Sequence, residues 1–328
     1  MSGEKIFITG ANGCVGHVLA RRLLDEGFDV TALAFDNLDT GNIDGLPLRI
    51  ETGDIRDTQR MTEIFDRHRF DIVIHLAALV HKPGAPESLY RKVNRDATAL
   101  LVDLSRRTSV RQFIYISTVA VFGDRTEGVV NEEDLPRPIT PYGISKLEAE
   151  RYVQKHAGQG LECTIIRPTT VYGPHDRGNI QRLFRLARKG IVPVPGNGEN
   201  QKSFVYTGNL AEGIGRTILN PASFGEVFIL SDSQPYTLNE ILSRMGEALG
   251  KRVKVVHLPK SPLLWLLKFG NRVLRLILKK EPLPVGAVEK ISTPNVFSID
   301  KAREVLGYEP STTLLEGLKL SYLKEENR

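Results

Sequence analysis

The chain has 328 residues, 41% apolar and 25% charged, enough to bury one large core or two modest ones and typical of a soluble globular protein. Its net charge of +5 is spread along the chain rather than clustered beside aromatics, which argues against nucleic acid as a partner and suits a small anionic substrate. No run approaches the roughly 18 apolar residues that span a bilayer. The two cysteines, Cys14 and Cys163, lack metal or redox spacing, so a reduced cytoplasmic protein is expected.

In chain order, a strand-like run, "KIFITG", begins almost at once, leaving no room for a signal peptide. An amphipathic stretch, "VGHVLARRLLDEG", and a second strand, "DVTALAFD", come next. Further apolar runs are "RIETGD", "DIVIHLAA", "QFIYIS" and "CTIIRP", separated by helical patterns in "RMTEIFDRH", "ATALLVDLSRR" and "KLEAERYVQKH". Near-continuous apolar strands alternating with helices predict an α/β, Rossmann-type doubly wound parallel sheet covered on both faces. Beyond about residue 170, "VYGPHDRGNI" and "GIVPVPGNGENQ" read as loops over a site, "SFVY" and "EVFILSD" as strands returning to the main sheet, and 236–328 as short helices and loops. The division is therefore a Rossmann domain over 1–170, with returning segments near 203–232, and a substrate-binding cap over 171–202 and 233–328. Within "PLLWLLKFGNRVLRLILKK", the spacing of Lys268, Arg272, Arg275 and Lys279 gives a basic helical face, read as the solvated side of a cap helix.

The first turn carries chemistry. "ITGANGCVG" sets Gly10, Gly13 and Gly16 between the first strand and the first helix, where glycine lets the backbone approach a pyrophosphate and the helix N-terminus favours negative charge. Asp36 follows 20 residues after Gly16, where a carboxylate can accept both ribose hydroxyls and repel a 2′-phosphate, so NAD is favoured over NADP. Asp54, in "GDIRD", ends the third strand within reach of the adenine.

"TPYGISKLEAE" opens a later helix with Tyr142 and Lys146 one turn apart on one face. A free tyrosine has a pKa of about 10, and bringing it near 7 takes roughly 4 kcal/mol. One ammonium about 4 Å away, at an effective dielectric near 20, supplies on the order of that amount. Tyr142 is thus a candidate general base, and Ser117 and Thr118 at the end of "QFIYIS" offer a hydroxyl to hold the substrate oxygen. His75 and His81 flank the fourth strand's end without partner spacing, so no metal is expected, and Glu148 and Glu150 read as a solvated or dimer-facing surface.

Together "ITGANGCVG", "DNLDTG", "GDIRD", "HLAA", "VNRDAT", "ISTVAVFG", "PYGISK", "RPTTVYGP" and "GYEPSTTLLEGL" closely resemble the extended short-chain dehydrogenase/reductases, specifically the NAD-dependent nucleotide-sugar epimerase/dehydratase group, over nearly the whole chain. The resemblance makes Tyr142 the base, Lys146 its partner and a ligand of the nicotinamide ribose, Thr118 the catalytic hydroxyl and Ser117 its neighbour. It gives a cofactor set of Gly10, Asn12, Gly13, Cys14, Val15, Gly16, Asp36, Asn37, Asp54, Ile55, Leu76, Ala77, Ala78, Asn94, Tyr142 and Lys146. Substrate would meet Thr118, Tyr142, Thr170, Asn179 and Lys202, with Thr170 standing where many relatives have asparagine. Lys202 replaces a common arginine, keeping the charge without the bidentate fork, so Arg177 or Arg182 would share the diphosphate. Phe122 replaces a usual tyrosine and is read as packing.

The 4,6-dehydratases of the group follow the threonine with Asp-Glu, and the decarboxylases carry a glutamate there; this chain has Val119 and Ala120. What the resemblance implies is a UDP-glucose or UDP-N-acetylglucosamine 4-epimerase using NAD, acting as a homodimer, with a 4-keto nucleotide-sugar reductase using NAD(P)H as the alternative.

Overall fold

The computed structural model describes residues 3–35, 40–80, 82, 84–124, 128–158, 160–176, 178–259, 262 and 293–322. Asp36, Asn37, His81, Arg177 and nearly all of the basic segment 262–280 lie outside them.

Seven strands form the central sheet: β1 (Lys5–Thr9), β2 (Asp29–Ala34), β3 (Arg49–Thr52), β4 (Ile72–His75), β5 (Gln112–Ile116), β6 (Glu162–Pro168) and β7 (Val227–Leu230). Every neighbouring pair is parallel, in the order β7-β6-β5-β4-β1-β2-β3. The order reverses between β1 and β4, and in such sheets the crevice beyond the strand ends at that point receives ligands.

Helices bury both faces, as the unbroken apolar strands require. In β1, Ile6 and Ile8 join Leu19 and Leu23 of the helix Gly16–Asp25 in one core, while Phe7 points to the opposite core. There its ring meets Phe65 edge-on at 5.4 Å and stacks on Phe70 at 4.8 Å. Each such fully buried side chain stabilises by about 1.5–3 kcal/mol.

The returning segment departs from expectation. Val227–Leu230 joins the main sheet, but Phe204–Tyr206 pairs instead with Thr170–Tyr172 in a separate two-stranded sheet. Its residues alternate between cores: Val205 faces the first, while Phe204 and Tyr206 join Tyr172, Phe184, Leu242 and Leu318 in a third. The short pair thereby links the Rossmann sheet to the apolar cluster drawn from residues 172–322.

His75 ends β4, fully buried, its Nδ1 2.6 Å from Thr9 Oγ1 and its Nε2 3.0 Å from Thr98 Oγ1. The Thr98 hydroxyl already donates to the Asn94 carbonyl, so Nε2 carries the ring proton and Nδ1 accepts from Thr9. Burial holds the imidazole neutral, its pKa pushed down to about 3, with the charge on Lys146 a lesser influence. The unfolded chain takes up a proton below 6.5 that the folded chain refuses, so this stability is full above 6.5 and lost as pH falls toward 3. Asp232 works oppositely: burial raises its pKa to about 6 despite hydrogen bonds from Tyr206, Asn209 and Tyr172, so its contribution is lost as pH rises through 6. Urea unfolding between pH 6 and 4.5 is expected to show the wild-type free energy falling relative to His75→Gln by about 1.4 kcal/mol per pH unit. Parallel pH curves for the two proteins would refute the assignment.

Candidate active site

The glycine loop owes its shape to close backbone approaches. Gly10 has φ +74°, and a Cβ there would lie 2.9 Å from Ala77 N. At Gly16 an added Cβ would sit 2.1 Å from the Gly10 carbonyl oxygen. Gly13 N donates to that same carbonyl at 3.0 Å, closing the turn. The helix then starts at Gly16 with no side chain capping it, so its first N–H groups face the loop.

Beside the loop lies a groove of about 340 Å³, whose walls include Gly10, Asn12, Asp54, Ile55, Ala77 and Ala78. These are six of the fourteen described residues expected to hold the cofactor; Gly13, Cys14, Val15, Gly16, Tyr142 and Lys146 are not among its lining residues. Leu76 packs instead against the first core. Asn94 is fully buried at the centre of a π-helical turn, Arg91–Asp96. Its amide accepts from Leu79 N at 2.8 Å and donates to Leu79 O at 3.0 Å and Ser145 Oγ at 2.9 Å, which ties the groove wall to the tyrosine-bearing helix.

Sequence reasoning missed Phe35, Lys82 and Arg56 in this groove. Arg56 clamps Asp54 through Nε at 2.9 and 3.0 Å and through Nη2, and this pairing holds the carboxyl below its usual range. The signal was present in "GDIRD", where an arginine two residues after an acid can fold back on it. A glycine loop with no room for a Cβ at Gly10 or Gly16, an adjoining groove and a helix N-terminus are a set that fits a dinucleotide.

The helix Pro141–His156 begins where its local sequence requires. Thr140 caps it, accepting from Gly143 N at 3.1 Å, and Pro141 occupies the first turn, where no N–H is needed. Gly143 lets the helix abut the 3₁₀ turn Val119–Phe122, since a Cβ would lie 2.6 Å from the Ala120 carbonyl oxygen. Thr118 caps that turn, accepting from Ala120 N at 3.1 Å.

This junction sets the Thr118 hydroxyl in a hydrogen bond with the Tyr142 phenol. Ser117 is buried, and among the described residues its hydroxyl has no partner. Tyr142 differs from the sequence expectation in one respect. Burial is the dominant influence and pushes the phenol up to about 12, with the Thr118 hydrogen bond pulling the other way. Lys146 Nζ donates to the Ile116 carbonyl at 2.6 Å and lies 4.1 Å from the centre of the Tyr115 ring. Burial brings the Lys146 ammonium down to about 7, and Glu150 acts against that.

Glu150 corrects a sequence reading. It is 1% exposed rather than solvated, and forms a two-point ion pair with Arg167 of β6 at 3.0 and 2.7 Å. The sequence reading missed this because the partner, Arg167, comes from a different element, β6. Glu148 does reach the surface, paired with Arg91.

On the cap side, Thr170 is exposed on its short strand, and Asn179 opens the helix Asn179–Arg188. Arg182 is exposed on that helix. Lys202 Nζ donates to the Thr293 carbonyl at 2.7 Å. His17, just after the glycine loop, meets His175 of the "GPHD" turn edge-on at 4.9 Å. Among the described residues no group of three or more His, Cys, Asp or Glu could hold a metal, and no helix is long and apolar enough to cross a membrane.

Residues 6–230 match the model of the NAD dependent epimerase/dehydratase family. The chain belongs to that family. It is an NAD-dependent enzyme, and NAD is its cofactor. A UDP-glucose 4-epimerase of Vibrio cholerae is 31% identical, the match covering 99% of this chain and 97% of that protein. An N-acetyl-alpha-D-glucosaminyl-diphospho-ditrans,octacis-undecaprenol 4-epimerase of Escherichia coli O157:H7 is also 31% identical, over 96% of this chain and 93% of the other. Among solved structures, a UDP-glucuronic acid 4-epimerase from Bacillus cereus in complex with NAD superposes with a TM-score of 0.78 at 25% identity, over 99% of this chain and 100% of that one.

Proposed function

We propose that this family member is a nucleotide-sugar 4-epimerase, a UDP-sugar being the substrate. The reading rests on the Thr118–Tyr142 pair, whose helix is tied through Ser145 and Asn94 to Leu79 of the groove wall, and on the turn Val119–Phe122, which carries no carboxylate. Without an acid after Thr118, nothing in that turn can promote loss of water or carbon dioxide, and reversible oxidation of one carbinol carbon remains. The three relatives named above share 4-epimerisation of a sugar, two of them on a UDP-sugar.

Gly10, Asn12, Gly13, Cys14, Val15 and Gly16 would hold the dinucleotide's phosphates, Asp36 its ribose, Asp54 and Ile55 its adenine end, and Ala77, Ala78 and Lys146 its nicotinamide end. NAD, when bound, supplies a reversible hydride acceptor. Tyr142 takes the proton from the C4 hydroxyl, and Thr118 holds the same oxygen by a hydrogen bond. Burial alone disfavours the phenolate, so the charge on Lys146 and the Thr118 hydroxyl must offset that cost. Once the ketone-bearing sugar has turned about its diphosphate linkage, Tyr142 returns the proton, and C4 is inverted with no net use of cofactor. Thr170, Asn179 and Lys202 would hold the sugar and diphosphate. We further infer that the pair works within a homodimer and that the cap begins near residue 171.

Incubation with a panel of UDP-, dTDP- and GDP-hexoses and with a polyprenyl-diphospho-N-acetylglucosamine tests this. Trace NAD is expected to suffice for C4 inversion of a UDP-hexose. Stoichiometric oxidation of NADH by a 4-keto sugar, without inversion of any hexose, would establish the reductase reading instead.

A further inference from the structure

Lys146 belongs to a buried charge network of which the chemistry described so far uses no other member. Lys146 and Glu150 are one turn apart on the same helix, both 1% exposed, a spacing that puts their Cβ atoms about 5–6 Å apart. Glu150 receives both Nε and Nη2 of Arg167, whose guanidinium lies 4.9 Å from the Phe122 ring centre. The third nitrogen, Nη1, is buried without a hydrogen-bond partner among the described residues. Surrounding Lys146, the titratable and charged groups are Tyr142 and Glu150 on its own helix, His75 on β4, Tyr115 on β5 and, behind Glu150, Arg167 on β6. Of these only Glu150 is anionic. A surface salt bridge would contribute little, but a buried carboxylate beside a buried amine acts through a low dielectric and is hardly screened by salt.

We propose that Glu150 is a positioning residue for the reaction: clamped by Arg167, its carboxylate keeps Lys146 in the charged, hydrogen-donating form under Tyr142. The role in turnover rests on the epimerase reading; the control of the Lys146 charge does not. Burial pulling Lys146 toward the neutral amine is what gives the carboxylate its leverage. Arg167 has the opposite sign and sits farther along, so it holds Glu150 in place while tempering its field.

The charges predict shifts of opposite sign. In the full chain labelled at lysine ¹³Cε, the Lys146 resonance is identified by its loss in Lys146→Met, and its titration is followed. Glu150→Gln is expected to lower the midpoint by about one pH unit, an ordinary effect of losing a close opposite charge. Arg167→Gln, which frees the carboxylate from its clamp, is expected to raise it. The double variant removes both charges and avoids leaving one buried alone; a smaller downward shift is expected. In turnover, the pH above which kcat falls should move with the midpoint in each variant.

A pair serving the fold alone would lower thermal stability in all three variants while leaving the Lys146 midpoint where it was, and that result overturns the proposal. Shifts of the same sign in Glu150→Gln and Arg167→Gln, or failure of all three to fold, would overturn it equally. If the wild-type protein inverts no nucleotide sugar, the epimerase reading fails, yet the resonance titration still decides the role of Glu150.

Discussion

Replacing Tyr142 with Phe is expected to lower kcat for C4 inversion by about 10²–10⁴-fold, the usual worth of a positioned acid–base group, while leaving NAD bound. Phe preserves the half-buried ring and removes only the hydroxyl that meets Thr118. The groove at the glycine loop is lined by the end of β2, the loops after β1 and β3 and the segment after β4, and Tyr142 is not among its lining residues. Single-turnover assays with a UDP-hexose, alongside fluorescence titration with NADH, separate the two effects. Turnover near the wild-type level would remove Tyr142 from the reaction, and loss of NADH binding would recast it as part of the cofactor site.

Gly16→Ala is expected to be the most damaging change at the cofactor end. A Cβ at that position would lie 2.1 Å from Gly10 O and 2.7 Å from Ala11 Cα, both backbone atoms of a loop closed by its own hydrogen bond. Neither can swing aside as a flexible side chain would, so the helix must back away from β1. NAD affinity should fall by at least about tenfold, since binding at a helix N-terminus depends on N–H groups held at contact distance. Thermal stability should fall as well, because Leu19 and Leu23 on that helix are fully buried in the first core. Gly27→Ala, just past the other end of the same helix, where an added Cβ meets nothing within 4 Å, serves as the control; its φ of +87° confines the cost to local backbone strain. Equal NAD affinity in Gly16→Ala and the wild-type protein would show that the loop does not bind by close backbone approach.

Much of this site is local in origin and was therefore legible beforehand. Glycine spacing after a strand, a threonine–proline helix start, and Tyr142 and Lys146 one turn apart are all short-range patterns. Their meaning follows from turn geometry and the helical repeat. The alternation of apolar strands and helices likewise implied a parallel sheet with both faces covered. What misled was any inference about surroundings. Glu150 read as a surface acid because its neighbours in sequence are polar, yet Arg167 arrives from a strand 17 residues away and buries it. "SFVY" looked like another central strand, and its apolar content could not say that Val205 and its neighbours serve two different cores.

The sequence by itself therefore determined the family and the kind of cofactor, and singled out Tyr142 as the candidate base, because these depend on residues close in the chain. Only the tertiary structure showed that burial works against the Tyr142 phenolate and that Glu150 and Arg167 lie buried beside Lys146. Both depend on burial and on partners from distant strands, and the energy of a charge is set by everything around it rather than by the residues next to it in sequence.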